Sequence, residues 1–405
     1  MFLRKRRGSS TAKADELMEL CQALLSHRGE VSGARLATDV VQRYRTLDAA
    51  DTEAFLDRLV TKFAPDLNAV RVATEQFQQD PSLPSLLRLQ RIVEPPRQEL
   101  FRRWNFAPGA TASLVDMRRR LLSTLKAHPE RIGVDADLLH LFRSWFNRGF
   151  LVLQRIDWRT PAVILERLIE YEAVHQIQGW RDLRRRLEGD RRCYAFFHPA
   201  LPEEPLIFIE VALTRGLPGE VQPLIDPSSP VGDPVQADTA AFYSITNCQE
   251  GLRGVSFGNV LIKQVVDDLG GEFRRLRTFA TLSPIPGFRQ WLIERDPRWA
   301  EADPTAASPQ MKKELTRLCA NYLLFARRDN EPADPVARFH LANGASLERL
   351  NWMADASAAG LQRSFGLMAN YLYRPEDLEP NHEAYAREYR VIASRTIERS
   401  ARLRD

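Results

Sequence analysis

Apolar positions recur at helical spacing through roughly the first third of the chain. Leu17, Leu20, Cys21, Leu24 and Leu25 fall on one face of a predicted helix. Ala54, Phe55, Leu56, Leu59, Val60 and Phe63 form a second amphipathic stretch behind Asp51. Asp80-Pro81-Ser82 and Glu94-Pro95-Pro96 interrupt the pattern. Proline removes a backbone donor and disfavours helix in the residue before it. Leu86, Leu87, Leu89 and Ile92 resume the pattern, and Leu114, Met117, Leu121, Leu122 and Leu125 make a last clear helix. Glycine is scarce here and strand-like alternation is absent. Residues 1–145 are therefore expected to form an all-α helical bundle.

The stretch Asp137 to Leu187 also reads as helical, with Trp145, Phe146, Phe150 and Trp158 close together. Pro161 sits at the start of a helix, with Thr160 as its cap. This stretch is the expected joint to a second domain, residues 146–405. From Arg192 the pattern changes. Cys193 to His198 and Leu206 to Val211 read as strands joined by a proline-containing turn, and Thr239 to Ile245 as a third. Phe257 to Leu269 reads as a helix, Thr278 to Leu282 as a short strand, Glu314 to Phe325 as a helix and Val336 to Leu341 as a strand-like run. Strand, loop, helix and strand in this order predict an α/β sheet. The expected class is α+β, a helical bundle followed by an α/β domain.

Charge narrows the function. The 57 basic and 53 acidic residues leave a net +4, too small to argue for nucleic acid. No run of apolar residues is long enough for a membrane span. Met1 to Ser10 is basic without an apolar core, unlike a secretory signal, and the end is not a Ser-Lys-Leu peroxisomal address. Cys21, Cys193, Cys248 and Cys319 are widely spaced and make no metal pattern, so reduced thiols, no metal and a cytoplasmic location are expected. Arg184-Arg185-Arg186 reads as a solvated helix face or as a patch for an anionic ligand.

Three segments can carry chemistry. Arg253-Gly254-Val255-Ser256-Phe257-Gly258-Asn259 lies between a strand and a helix. Small residues there let backbone N–H groups approach a phosphate at a helix N-terminus. The segment lacks the Gly-Lys-Ser/Thr of a Walker loop, and an ordinary strand-to-helix turn has the same look. Thr281-Leu282-Ser283-Pro284-Ile285-Pro286-Gly287-Phe288 follows a strand, and its prolines and glycine stiffen the backbone around Ser283. Phe339-His340-Leu341-Ala342-Asn343-Gly344-Ala345 ends a strand-like run, where a histidine can reach a cleft and titrate near neutral pH. Tyr371 and Tyr373 share a face if their segment is extended.

Taken together, these segments resemble the malonyl-CoA decarboxylase family over nearly the whole length of the chain. The resemblance rests on Ser144 to Asn147 with Gly149 and Phe150, Tyr171 to His175, Phe242-Tyr243-Ser244-Ile245 and Gly251 to Val266. It continues through Leu282 to Phe288, His340 to Ala345, Asn351 to Asp355 and Leu367 to Tyr371. It implies a GNAT-like catalytic domain in which Arg253, Gly254, Val255, Ser256, Phe257, Gly258 and Asn259 grip the CoA pyrophosphate. It implies catalytic roles for Ser283 and His340, and an active-site tyrosine at Tyr373, with Tyr371 as the alternative. Some animal members carry a glutamate at the position of Ser256. Malonyl-CoA as substrate, acetyl-CoA as product, no metal and a homotetramer are further implications, and the terminus suggests a bacterial member.

Loss of carbon dioxide puts negative charge on the thioester enolate oxygen, where backbone donors near residues 253–259 or on a neighbouring strand stabilise it. The carbanion then needs a proton. Ser283 and His340 are expected to act as a pair: His340 donates or relays it while Ser283 orients the carboxylate, or the reverse. A GNAT-type acyltransferase and a CoA-responsive scaffold are the rival readings.

Overall fold

The structure, a computed structural model, describes residues 7–26, 29–255, 257 and 260–402. It divides into two units. The first comprises Met1–Leu151 with the short segments His198–Pro202 and Gln249–Ser256; the second comprises Val152–Phe197, Glu203–Cys248 and Phe257–Asp405.

The first unit is helical as predicted. Its helices are α1 (Arg7–Ser26), α2 (Glu30–Arg45), α3 (Ala49–Lys62) and α4 (Leu67–Gln79), then α5 (Leu83–Val93), α6 (Pro96–Trp104), α7 (Ala110–Thr124) and α8 (Ile132–Trp145). The polar breaks fall between α4 and α5 and between α5 and α6. Pro96 opens α6, where its missing N–H has no intrahelical partner to lose. Asp48 caps α3 by accepting from Asp51 N–H at 2.8 Å. Tyr44, Phe55 and Trp104 meet in the core with centroids 5.7 to 6.4 Å apart, within the range favoured for tilted and edge contacts. Buried Arg118 donates to the carbonyls of Gly251 and Arg253 at 2.8 and 2.7 Å while Asp135 pairs with it at 2.8 Å. A Cβ on Gly251 would stand 2.0 Å from the Val115 carbonyl oxygen, so only glycine lets this turn seat against α7.

The second unit is built on a mixed sheet. Its strands are β1 (Val152–Ile156), β2 (Arg191–Phe197), β3 (Ile207–Thr214), β4 (Thr239–Asn247) and β5 (Thr278–Thr281), then β6 (Ser283–Pro284), β7 (Arg327–Arg328), β8 (Glu331–Pro332), β9 (Ser346–Asn351) and β10 (Met368–Leu372). The order is β1-β2-β3-β4-β5-β10-β6, with β9 paired to β10 and β7–β8 a separate hairpin. β1 to β4 are antiparallel, and β4 and β5 are parallel. A parallel pair needs a crossover, here the helix Val260–Glu272. This is the expected α/β sheet domain, following the helical segment in chain order. β2 and β3 are buried on both faces, which explains their near-continuous apolar runs. Ile164, Leu165, Leu168 and Leu183 from the helices Ala162–Tyr171 and Trp180–Arg186 pack with Cys193, Ala195 and Phe197 of β2.

Several local expectations change. The stretch expected to be helical contains β1, an exposed edge strand whose Gln154 and Arg155 mask any alternation. Residues 335–342 are a helix, not a strand. Asp334 caps it, accepting from Val336 and Ala337 N–H at 3.0 and 2.9 Å, with Pro335 at the first helical position. Thr160 does not cap; its hydroxyl accepts from Asp157 N–H, and the helix starts at Ala162. Neither reading of Arg184 to Arg186 holds for the last two. Arg185 pairs with Asp190 at 2.7 Å and Arg186 with Glu210 at 2.6 Å, all four side chains buried.

The Arg186 pair supplies a stability prediction. Glu210 and Glu172 are buried, and the Arg186 charge opposes the rise that burial imposes on both carboxyls. Arg186→Leu strands these groups and is expected to cost about 3–5 kcal/mol, while Arg184→Leu on the exposed side of the same helix costs under about 1 kcal/mol. Denaturant unfolding of the two variants measures both; equal losses would contradict the assignment.

Candidate active site

Register brings the chemistry together. β10 pairs antiparallel with β5 and β6, Leu372 opposite Ala280, Ala369 opposite Ser283 and Met368 opposite Pro284. That register sets Thr281 across from Tyr371, and the Tyr373 N–H donates to the Phe279 carbonyl at 2.8 Å just beyond the strand end. Residues two apart on a strand share a face, so Thr281, Ser283, Tyr371 and Tyr373 all point to one side. The helix 335–342 delivers His340 onto that side. Ala337, His340 and Leu341 are its buried positions, at the spacing of one helical stripe.

The resulting cluster is tight. His340 Nε2 lies 2.9 Å from Ser283 Oγ, and His340 Nδ1 lies 2.8 Å from the Tyr373 hydroxyl. Ser283 Oγ donates to Thr281 Oγ1 at 2.8 Å, and Thr281 Oγ1 also accepts from Tyr371 N–H at 3.1 Å. The Tyr371 ring stacks on the imidazole, with centroids 4.6 Å apart. Burial lowers the His340 pKa to about 3, so the ring is neutral at pH 7. Burial also pushes the Tyr371 and Tyr373 phenols well up, so both keep their protons. Gly287 ends the Pro-rich loop where a Cβ would meet the Tyr322 hydroxyl at 2.3 Å.

A cavity of about 210 Å³ opens beside the cluster. Ser283, His340, Pro284, Pro335, Val336 and Phe339 line one part, and Val174 with Phe242, Tyr243, Ser244, Ile245 and Asn247 line the other. No Lys, Arg, Asp or Glu stands among these described lining residues. The β3–β4 register shifts between Glu210 and Val211, which pair with Ser244 and Phe242, so Tyr243 is an extra residue in the cavity wall. Val174 is held from behind: the Glu172 carboxylate accepts from the N–H groups of Val174 and His175, both at 2.7 Å, and from Ser244 Oγ at 2.8 Å.

Of the expected site residues, Ser283, His340 and Tyr373 meet directly, and Tyr371 joins by its ring. Arg253, Gly254 and Val255 lie in the helical unit; Arg253 and Gly254 are exposed, and Gly254 has φ +85°. Phe257 is buried and belongs to the sheet unit. Ser256, Gly258 and Asn259 lie outside the described residues. The sequence reading missed Thr281 and Asp334. Both left signals, Thr281 by its two-residue spacing from Ser283 and Asp334 by preceding a proline. Among the described residues one group has metal-ligand spacing, Asp57, His128 and Glu130, but the Asp57 carboxylate already pairs with Arg131.

Comparison with known proteins gives this geometry a family. The chain matches the family models for the malonyl-CoA decarboxylase C-terminal domain, over residues 149–296 and 292–405, and N-terminal domain, over residues 63–146. A crystal structure of malonyl-CoA decarboxylase from Rhodopseudomonas palustris is 48% identical, with TM-score 0.90 over 95% of this chain and 99% of that one. That from Agrobacterium vitis is 46% identical, with TM-score 0.88 and the same coverage. The mitochondrial malonyl-CoA decarboxylase of Anser anser anser is 33% identical over 90% of this chain and 82% of its own length. The chain belongs to the malonyl-CoA decarboxylase family.

A pH prediction follows from the buried histidines. His340 and His175 titrate near the ordinary 6.5 when unfolded but at about 3 and about 4 in the fold, burial being the main cause in each. Between these values the unfolded chain binds more protons. Each ring's contribution is therefore complete above about pH 6.5 and is lost on acidification by about 1.4 kcal/mol per pH unit. His340→Asn is expected to have a shallower acid loss of stability than the wild type in denaturant titrations. Parallel curves would contradict a buried neutral His340.

Proposed function

We propose that the chain decarboxylates malonyl-CoA, releasing carbon dioxide and leaving acetyl-CoA, with Ser283, His340 and Tyr373 as its catalytic residues. The observation that carries this reading is the Ser283–His340–Tyr373 chain at the wall of a cavity with no charged described lining. A malonyl carboxylate in such a place is held by hydrogen bonds alone. Loss of its charge as carbon dioxide is favoured where water and counter-ions are excluded.

The C–C bond breaks and its electron pair moves into the thioester, whose oxygen becomes an enolate. Backbone N–H groups at the β4 irregularity around Tyr243, which lines the cavity, are proposed to stabilise that oxygen. Ser283 orients the carboxylate by turning its hydroxyl proton from Thr281 onto a carboxylate oxygen when substrate binds. His340 delivers a proton to C2; an enolate carbon is basic enough to take it from a neutral ring. Tyr373 returns a proton to Nδ1, and solvent restores the one proton consumed per turnover. The residues 253–259 are proposed to hold the CoA pyrophosphate, with the clamp from Arg118 supporting that role. No metal enters this scheme.

The same proposal extends to setting. Among the described residues no helix is long and apolar enough to cross a membrane, and the four cysteines are free and buried, which suits a reducing cytoplasm. A homotetramer is supported by the exposed apolar side chains of α4 and α5, among them Leu67, Leu83 and Leu87, with no buried residue in α5.

Carbon dioxide release from malonyl-CoA with no acyl acceptor present is the test that separates this reading from acyl transfer. His340→Asn and Ser283→Ala, made separately, should each lower kcat by roughly 10²–10⁴-fold in a folded protein. Near-normal turnover by both would remove the assignment. Leu83→Glu with Leu87→Glu should lower the mass in light scattering, and an unchanged tetramer would exclude that face.

A further inference from the structure

We infer that Thr281 is a positioning residue that fixes the direction of the hydrogen-bond chain through Ser283, His340 and Tyr373, and with it the imidazole tautomer. The inference rests on the reading of His340 as proton donor.

Ser283 has one hydroxyl proton, and its geometry donates that proton to Thr281 Oγ1 at 2.8 Å. The 2.9 Å contact between Ser283 Oγ and His340 Nε2 then holds only if Nε2 carries a proton and donates it. A neutral imidazole carries one N–H, so Nδ1 is bare. Its 2.8 Å contact with Tyr373 is satisfied only when the phenol donates. The chain therefore runs from Tyr373 to His340 to Ser283 to Thr281. It places the ring proton on the nitrogen beside Ser283, at the cavity, where C2 of the substrate needs it. Thr281 is fully buried and its oxygen is oriented by the Tyr371 N–H at 3.1 Å, so the end of the chain is itself fixed.

Without the Thr281 hydroxyl the chain can reverse. Ser283 turns its proton onto Nε2, the ring proton moves to Nδ1, and Tyr373 accepts. The nitrogen beside Ser283 then has no proton to give. A methyl in place of that hydroxyl keeps the volume and removes the acceptor.

The test is ¹⁵N NMR of histidine-labelled full-length protein at neutral pH, with the His340 signals identified by their loss in His340→Asn. The wild type should show Nε2 protonated and Nδ1 bare. Thr281→Val should shift the population toward Nδ1–H and lower kcat by up to about 100-fold with KM little changed. Thr281→Ser should restore both tautomer and rate. An Nδ1–H ring in the wild type overturns the inference, and so does a Thr281→Ser enzyme as slow as Thr281→Val. Should Thr281→Val not fold, the wild-type tautomer and the serine variant decide alone. The tautomer readout needs no turnover, so it stands apart from the decarboxylase reading, which fails if the wild type releases no carbon dioxide.

Discussion

One hydrogen bond, 2.9 Å between Ser283 Oγ and His340 Nε2 in a buried site, sets what the sheet unit has to accomplish. The two residues are 57 positions apart and come from a strand end and a helix. Their meeting depends on the shared register of β5, β6 and β10 and on the angle at which residues 335–342 arrive. Asp334 secures that arrival: it caps the helix, and burial lifts its own pKa to about 6 against the pull of the N–H groups it accepts from. The imidazole is neutral because burial leaves it no water, and no charged residue stands among the described cavity lining to recharge it.

Charge has been moved one layer back. Arg186, Glu210 and Glu172 form a buried network behind β4, and Glu172 holds the backbone on which Val174 reaches the cavity. Buried ion pairs of this kind add little net stability, but breaking one is expensive. In this chain the network fixes a wall. The described cavity lining can stay uncharged because the Glu172 carboxylate behind it is satisfied by hydrogen bonds to Ser244 and to the N–H groups of Val174 and His175.

Much of this was legible in the sequence. Helical spacing and proline breaks located α3, α5 and α7, and the buried apolar runs located β2, β3 and β4. The stiff loop marks Ser283 and alternate spacing marks Tyr371 and Tyr373 as candidates, and the family resemblance is what implies their roles. The helix carrying His340 was misread because Val336 and Phe339 have strand preference, while the capping signal Asp334-Pro335 pointed correctly to a helix start. β1 was lost because an exposed edge strand does not alternate. Arg185 and Arg186 looked like solvated charges because their partners lie off their own helix, Asp190 just past its end and Glu210 on β3. Thr281 shows in the sequence only as a residue two before Ser283, because its role depends on which way a neighbouring proton points.

The most direct test is a crystal structure of the protein with a malonyl-CoA analogue that cannot lose carbon dioxide. The account predicts its carboxylate within hydrogen-bond distance of Ser283 Oγ and its C2 beside His340 Nε2, with no cation within about 4 Å of the carboxylate. A carboxylate bound to an arginine or lysine, or an acyl group lying away from His340, would contradict it.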